Sequence, residues 1–362
     1  MKKLGYHKLI SVSPRLFVGN VDKNVTEHLS IINDVKSKNP SVILFPELSL
    51  TGYTCEDLFH NESLLQATQT GLLKLAQETK HISSLIIVGL PFQHKGKLYN
   101  GAACVYKGEV LSLHSKTFVP NYKEFYENRW FSEGSVKDQV VVWGSRKIPF
   151  SNDKIIRVGD LLVGVEICED VWAPISPSVG LALGGANLIV NLSASNELVA
   201  KDEYRRNLLK ITSAKLNCGY LYTSSGPWES SKDLVFGGYM GYFEDGSLIK
   251  ENSEILFTSK YMETEIDVQK INFERRKNTT FGKAESSSYK ILDAALSHEE
   301  TNSITRKVVQ NPFVPQGDKE LSKRTQEILE IQSTGLARRV LALGQKTPMV
   351  LGLSGGLDST LA

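Results

Sequence analysis

The chain has 362 residues, 41% of them hydrophobic and 23% charged, with a formal net charge of +2 and four cysteines. This is the composition of a soluble globular protein with room for one large domain and part of another; the cysteines are too few for a disulfide framework and show no paired metal-ligand spacing. The net charge argues neither for nor against nucleic acid or a membrane. No apolar run approaches a membrane span, and Met1-Lys2-Lys3 is followed by Gly5, His7 and Lys8 rather than a signal-peptide core, so a reduced, cytoplasmic protein is expected; no nucleic-acid or membrane partner is expected.

Residues 4–13 predict a first strand. Val21, Val25, Leu29, Ile32 and Val35 recur at helical spacing and predict an amphipathic helix over 22–38. Residues 41–45 form the next strand, running into Pro46 and Glu47. Leu64, Leu65, Leu72, Leu73 and Ala76 mark a second helix, and 84–90 a buried strand. Residues 98–106 and 109–113 flank Lys107-Gly108 as a hairpin, which leads to Lys116. Short strands near Val140 and Ile155 precede a mostly apolar run, 161–167, that reads as a buried strand and ends at Cys168.

A short helix is expected over 177–184 and a strand over 186–192, ending at Ser193-Ala194-Ser195. A helix over 201–217 has Leu208, Leu209, Ile211 and Leu216 as apolar candidates. Strands over 220–224, 235–244 and 247–250 follow, the last two joined at Asp245-Gly246. Strands alternating with helices, interrupted by hairpins, imply an α/β class with a mixed sheet covered by helices. Over 268–320 the periodicity fades into Lys, Arg, Asn, Ser and Glu, which suits a connector, with Asn311-Pro312-Phe313-Val314-Pro315 as a semi-rigid piece. A helix over 321–343 has Ile328, Ile331, Leu336, Val340 and Leu341 as core candidates. A strand over 348–353 then feeds the loop Ser354-Gly355-Gly356-Leu357-Asp358-Ser359.

Three strand ends carry reactive side chains. Cys168 is followed by Glu169, Asp170 and Trp172; Glu47 follows Phe45-Pro46; Lys116 follows His114-Ser115. Singly, each has a bland reading: a free cysteine is usually a small buried hydrophobe, and a strand-end Glu or Lys a solvated loop residue. A strand that delivers a nucleophile into a sharp turn is also a way to expose a reactive atom above a sheet, and a carboxylate in apolar surroundings can serve as a general base. Three such residues, each in a distinctive local string, are hard to assign to chance.

Glu47, Lys116 and Cys168 match the Glu-Lys-Cys triad of the nitrilase, or carbon-nitrogen hydrolase, superfamily. Phe45-Pro46-Glu47-Leu48, the run from Lys116 through Asn121-Tyr122-Lys123-Glu124-Phe125-Tyr126-Glu127 to Arg129-Trp130-Phe131, and Ile167-Cys168-Glu169-Asp170-Val171-Trp172 narrow it. They resemble the glutaminase domain of glutamine-dependent NAD(+) synthetases. The C-terminal string Gly352, Leu353, Ser354, Gly355, Gly356, Leu357, Asp358, Ser359 resembles the phosphate loop of their synthetase domain, an α/β ATP-pyrophosphatase fold. A strand, glycine-rich loop and helix start can bind phosphate through backbone N–H groups and the helix dipole; a plain Ser/Gly turn is the alternative.

The resemblance implies a four-layer α-β-β-α sandwich over 1–267, a connector over 268–320, and over 321–362 the start of a synthetase domain, with the chain stopping just past its phosphate loop. It implies that Cys168 attacks the side-chain amide of glutamine and that Glu47 moves the protons. Lys116 and the Glu169 backbone N–H stabilise the oxyanion, and Lys116 favours the Cys168 thiolate. Tyr122, Ser195 and Lys201 contact the substrate, Lys201 where many relatives carry Arg, and Glu169 pairs with its α-ammonium. No cofactor or metal is implied for the glutaminase. ATP and Mg2+ serve the synthetase, which amidates nicotinic acid adenine dinucleotide, and a homo-oligomer is implied. The alternatives are a free-standing amidase of the nitrilase superfamily, against which the phosphate loop argues, and a non-catalytic assembly member, against which the triad argues.

Overall fold

The structure, a computed structural model, describes residues 5–134, 138–284, 289–295, 304–311, 313–315, 317–344 and 348–362. They divide into two compact units, Met1–Arg306 and Lys307–Ala362. In chain order the first unit holds β1 (Tyr6–Ser13), α1 (Val21–Val35), β2 (Val42–Leu44), α2 (Glu62–Glu78), β3 (Leu85–His94), β4 (Lys97–Tyr106), β5 (Glu109–Ser115), β6 (Gln139–Trp143), β7 (Arg146–Phe150), β8 (Lys154–Val158) and β9 (Leu161–Ile167). There follow α3 (Pro177–Leu183), β10 (Leu188–Ser193), α4 (Lys201–Lys215), β11 (Gly219–Ser224), β12 (Met240–Glu244), β13 (Ser247–Asn252), β14 (Lys260–Asp267), α5 (Val268–Lys277) and β15 (Lys290–Ala295).

The strands form two mixed sheets, one eight-stranded in the order β14-β1-β2-β3-β4-β5-β7-β6, the other seven-stranded in the order β13-β12-β11-β10-β9-β8-β15. Period-two alternation sorts their apolar side chains into layers. Ile10, Ile43, Ile86 and Val88 pack under α1 and α2, with Val25, Ile32, Leu72 and Leu75. Their strand neighbours Leu9, Val42, Leu44 and Ile87 face the second sheet, meeting Val163, Val165, Val190 and Leu221. The outer face of that sheet packs Ile189, Tyr220 and Tyr222 against Leu181 and Leu209 of α3 and α4. Three apolar interfaces thus separate four layers, the α-β-β-α sandwich expected.

Several local expectations are corrected. The stretch 268–320 is not all connector: α5 opens at Asp267, whose side chain accepts from the Lys270 N–H, and β15 pairs in parallel with β8. The charged composition hid them, because their partners come from distant chain. β7 and β14 were not anticipated. β14 interleaves Lys260, Glu263, Glu265 and Asp267, charges that mask its strand character; Glu263 meets Lys8 and Lys38 at 2.7 and 2.8 Å. The strand expected over 235–244 shortens to β12. On α4 the buried face is Arg205, Leu209 and Ser213, and Ile211 turns to solvent.

In the second unit α6 (Asp318–Leu343) and α7 (Leu357–Leu361) form, but 348–353 is not a strand. A strand needs a neighbour, and the described residues of this unit supply none. For the same reason the core candidates Ile328, Ile331, Leu336 and Leu341 are exposed. Leu4 and Pro312 lie outside the described residues.

Candidate active site

β2 and β5 of the first sheet and β9 of the second end on the same side of the sandwich and bring Glu47, Lys116 and Cys168 together. Glu47 and Lys116 are wholly buried. Lys116 Nζ donates to Glu47 Oε1 at 2.8 Å and to Glu127 Oε1 at 2.7 Å. Burial opposes the ammonium, but Glu127 and Glu47 outweigh it and hold the Lys116 pKa well above the ordinary lysine value. Asn100 Nδ2 spans the two carboxylates, at 2.6 Å from Glu47 Oε1 and 3.3 Å from Glu127 Oε2. Tyr53 Oη donates to Glu127 Oε1 at 2.8 Å. Burial, only partly offset by Lys116, raises the Glu127 pKa.

Glu47 is placed by a turn that glycine permits. A Cβ on Gly89 of β3 would lie 2.3 Å from the Leu48 nitrogen and 2.4 Å from the Pro46 oxygen, so only Gly lets the Pro46–Glu47–Leu48 turn press against that strand. Glu47 Oε1 is filled by Lys116 and Asn100. Oε2 accepts the Ala194 N–H at 2.8 Å and keeps a second acceptor site.

Cys168 begins a single 3-10 turn, Cys168–Trp172, with φ of 46°. That left-handed conformation costs a non-glycine residue about 1–3 kcal/mol and persists where the surroundings over-determine it. Here the Cys168 N–H donates to Asn191 Oδ1 at 3.2 Å, and Asp170 Oδ2 accepts from the Ile167 N–H at 3.0 Å. Burial first, then the charge of Glu47, push the Cys168 thiol pKa up; Lys116 and the Ala194 N–H oppose them without prevailing. Lys116 does pull toward the thiolate, as expected, but burial and the Glu47 charge outweigh it and favour the thiol.

A cavity of about 260 Å³ opens over Cys168, and Tyr122, Glu169, Ser195 and Lys201 all line it. Tyr122 is half exposed and its Oη donates to Glu169 Oε1 at 2.7 Å. Burial raises the Glu169 pKa. Ser195 is buried, its N–H donating to Ser224 Oγ at 2.9 Å. Lys201 Nζ donates to Asn196 Oδ1 at 2.5 Å and lies 6.0 and 5.9 Å from the Phe125 and Trp172 ring centres. Burial lowers its pKa.

Gly352, Leu353, Ser354, Gly355, Gly356, Leu357, Asp358 and Ser359 lie in the second unit. Gly355 takes φ of 81°, and Gly356 leads directly into α7. Sequence reasoning missed Glu127 and Asn100 as members of the buried cluster around Lys116. Glu127 sits in an irregular loop, and Asn100 interrupts an otherwise apolar strand; a polar residue at an inward strand position was the available signal.

Residues 11–275 match the carbon-nitrogen hydrolase family model. The glutamine-dependent NAD(+) synthetase of Mycobacterium tuberculosis is 31% identical over 99% of this chain and 54% of its own length, and that of Thermotoga maritima 30% identical over 98% and 56%. The chain thus spans about half the length of the curated relatives it matches. Among solved structures, a glutamine-dependent NAD(+) synthetase from Cytophaga hutchinsonii superposes with a TM-score of 0.66 at 26% identity, over 72% of this chain and 43% of that one. A carbon-nitrogen hydrolase from Helicobacter pylori G27 shares the fold, with a TM-score of 0.63 at 16% identity over 77% and 96%. With a four-layer sandwich and a buried Glu-Lys-Cys cluster at one end of its two sheets, the chain belongs to the carbon-nitrogen hydrolase family.

Proposed function

We propose that this chain hydrolyses the side-chain amide of glutamine through a Cys168 thioester, and that the ammonia serves to amidate ATP-activated nicotinic acid adenine dinucleotide to NAD. One observation carries the first part. The cavity above the cysteine presents a carboxylate, Glu169, and an ammonium, Lys201, together with Ser195 and the Tyr122 hydroxyl. Those charges complement the ammonium and carboxylate of an amino acid whose amide reaches Cys168. A simple amide or nitrile would leave both unanswered.

The cycle follows from the bonding. Glu47 Oε2, with its remaining acceptor site, takes the thiol proton as Cys168 Sγ attacks the amide carbon. Lys116 and the Glu169 N–H stabilise the oxyanion. Glu47 returns the proton to the departing nitrogen, releasing ammonia and leaving the glutamyl thioester. It then takes a proton from water as the oxygen attacks, and gives it back to the thiol as glutamate leaves. A neutral resting thiol suits this order, since base and nucleophile are engaged in one step.

The second part rests on the names of the relatives and on the loop at 354–359, whose glycines and helix start suit a phosphate. ATP phosphates would be held there, with Mg2+ accompanying them. A homo-oligomer and a reduced, cytoplasmic setting complete the reading; all four cysteines are free, and no described helix is long and apolar enough to cross a membrane.

Glutamate release is the test, with the thioester trapped and weighed by mass spectrometry. Glutamine should be hydrolysed well ahead of simple amides and nitriles. The reverse ranking would favour a free-standing amidase, and no thioester with any amide would favour an assembly role.

A further inference from the structure

Lys116 and Cys168 come from different sheets, so nothing in either sheet's ladder fixes their separation. Asp170 is a buried side chain that crosses the gap beside both residues. Asp170, 1% exposed, follows the nucleophile by two residues. Its Oδ1 accepts the N–H groups of Thr117 and Phe118, both at 2.9 Å. Its Oδ2 accepts the Ile167 N–H at 3.0 Å. One carboxyl group, its pKa pushed up to about 8 by burial and then Glu166, therefore holds the residue before the nucleophile and the two residues after the lysine. The Lys116 backbone is anchored on its other side within the first sheet, its N–H to Asn100 O at 2.8 Å and its carbonyl oxygen accepting from Gly134 N–H at 2.8 Å.

We infer that Asp170 is a positioning residue that sets the distance between the oxyanion-binding ammonium of Lys116 and the attacking sulfur of Cys168. It touches neither substrate nor reacting atoms. Its two oxygens bond directly to both of the loops that must act on one carbonyl. The left-handed turn at Cys168 needs such a restraint, because a residue in that conformation relaxes when its bonds are removed. An asparagine keeps one acceptor oxygen for Thr117 and Phe118 but turns its NH2 toward the Ile167 N–H, donor against donor. The link then breaks on the cysteine side.

The inference rests on the amide-hydrolysis reading, and the experiment separates the two. Asp170→Asn should lower kcat for glutamine about 100-fold, the cost of misplacing a reacting group by about an ångström, with KM within a few-fold of wild type. Alkylation of Cys168 by iodoacetamide needs no oxyanion site and should change only a few-fold. In a Lys116→Ala background, Asp170→Asn should cost little more, because the partner it positions is gone. Unchanged kcat, an equal penalty in the Lys116→Ala background, or alkylation falling as far as kcat would each overturn the role. Should Asp170→Asn fail to fold, Asp170→Glu keeps both oxygens but shifts them by a methylene, and the same comparisons apply with a loss above about tenfold expected. A wild type that releases no glutamate sinks the glutaminase reading; an active wild type with an unaffected variant sinks only this inference.

Discussion

On one side of Cys168, Glu47, Lys116, Glu127 and Asn100 are buried and bonded to one another between 2.6 and 3.3 Å. On the other, Tyr122 is half exposed and Lys201 rests between two aromatic rings about 6 Å away. The first side has few alternative arrangements: each carboxylate oxygen is claimed, and a lost partner leaves a buried charge that water cannot reach. The second can adjust to what enters. Chemistry is therefore expected to depend on the buried side through kcat, and substrate choice on the open side through KM.

Two substitutions test the buried side hardest. Cys168→Ala should remove glutamine hydrolysis, a loss of roughly ten-thousand-fold or more, while the melting temperature stays near wild type. Glutaminase activity in that folded variant would show that another group attacks. Glu127→Gln should come next. The amide keeps an acceptor for Lys116 and Tyr53 but sets its NH2 against Asn100 and removes one of the two charges on Lys116. With the ammonium drawn to Glu47 alone, kcat should fall about 100-fold with KM little changed. A variant that loses affinity rather than turnover would place Glu127 on the substrate instead.

The same side should be sensitive to acid. His28 is buried behind the Glu47 turn, its Nε2 3.0 Å from Ser49 Oγ, its ring stacked on Phe45 at 4.2 Å. Burial lowers its pKa from 6.5 to about 4. Between those values the unfolded chain binds a proton that the folded chain refuses, so stability falls as pH drops through that window. The loss is on the order of 3 kcal/mol by pH 4. His114, lowered to about 4 mainly by burial, adds to it. Urea midpoints at pH 7 and 4.5 measure the slope, and His28→Gln should flatten it; an unchanged slope would assign the acid sensitivity elsewhere.

The two sides were also unequally legible in the sequence. Glu47, Lys116 and Cys168 stand at the ends of apolar strands, where periodicity stops abruptly, and each sits in an unusual string. Tyr122, Glu169, Ser195 and Lys201 were reached only through resemblance, since nothing local marks a cavity wall. Glu127 and Asn100 escaped because their meaning lies in a contact with Lys116 that spans sheet and loop. The same holds for the fold. The inner strands were readable as apolar runs, whereas β14 and β15 were not, because their charged residues are offset by partners elsewhere in the chain. Strand 348–353 failed for the opposite reason: it had the right composition and no neighbour.

The open side should give smaller effects, and one of them isolates a single group. Lys201→Ala should raise KM for glutamine about tenfold, or about 1.4 kcal/mol, with kcat nearly kept. Lys201→Arg should be milder still at neutral pH, because a positive charge remains, and its use lies in the pH profile. Burial lowers the Lys201 pKa, so the ammonium is lost at a lower pH than for an exposed lysine. As pH rises through that lowered value, the wild-type KM should climb, because the substrate carboxylate loses its counter-charge. Arginine stays protonated throughout. The α-ammonium of glutamine titrates identically for both proteins, so the difference between their KM profiles reports Lys201 alone. The curves should agree at pH 7 within a few-fold and separate on the alkaline side, wild type rising first. Parallel curves would mean that Lys201 stays charged over the range or does not meet the carboxylate. In the second case Lys201→Ala would leave KM unchanged as well.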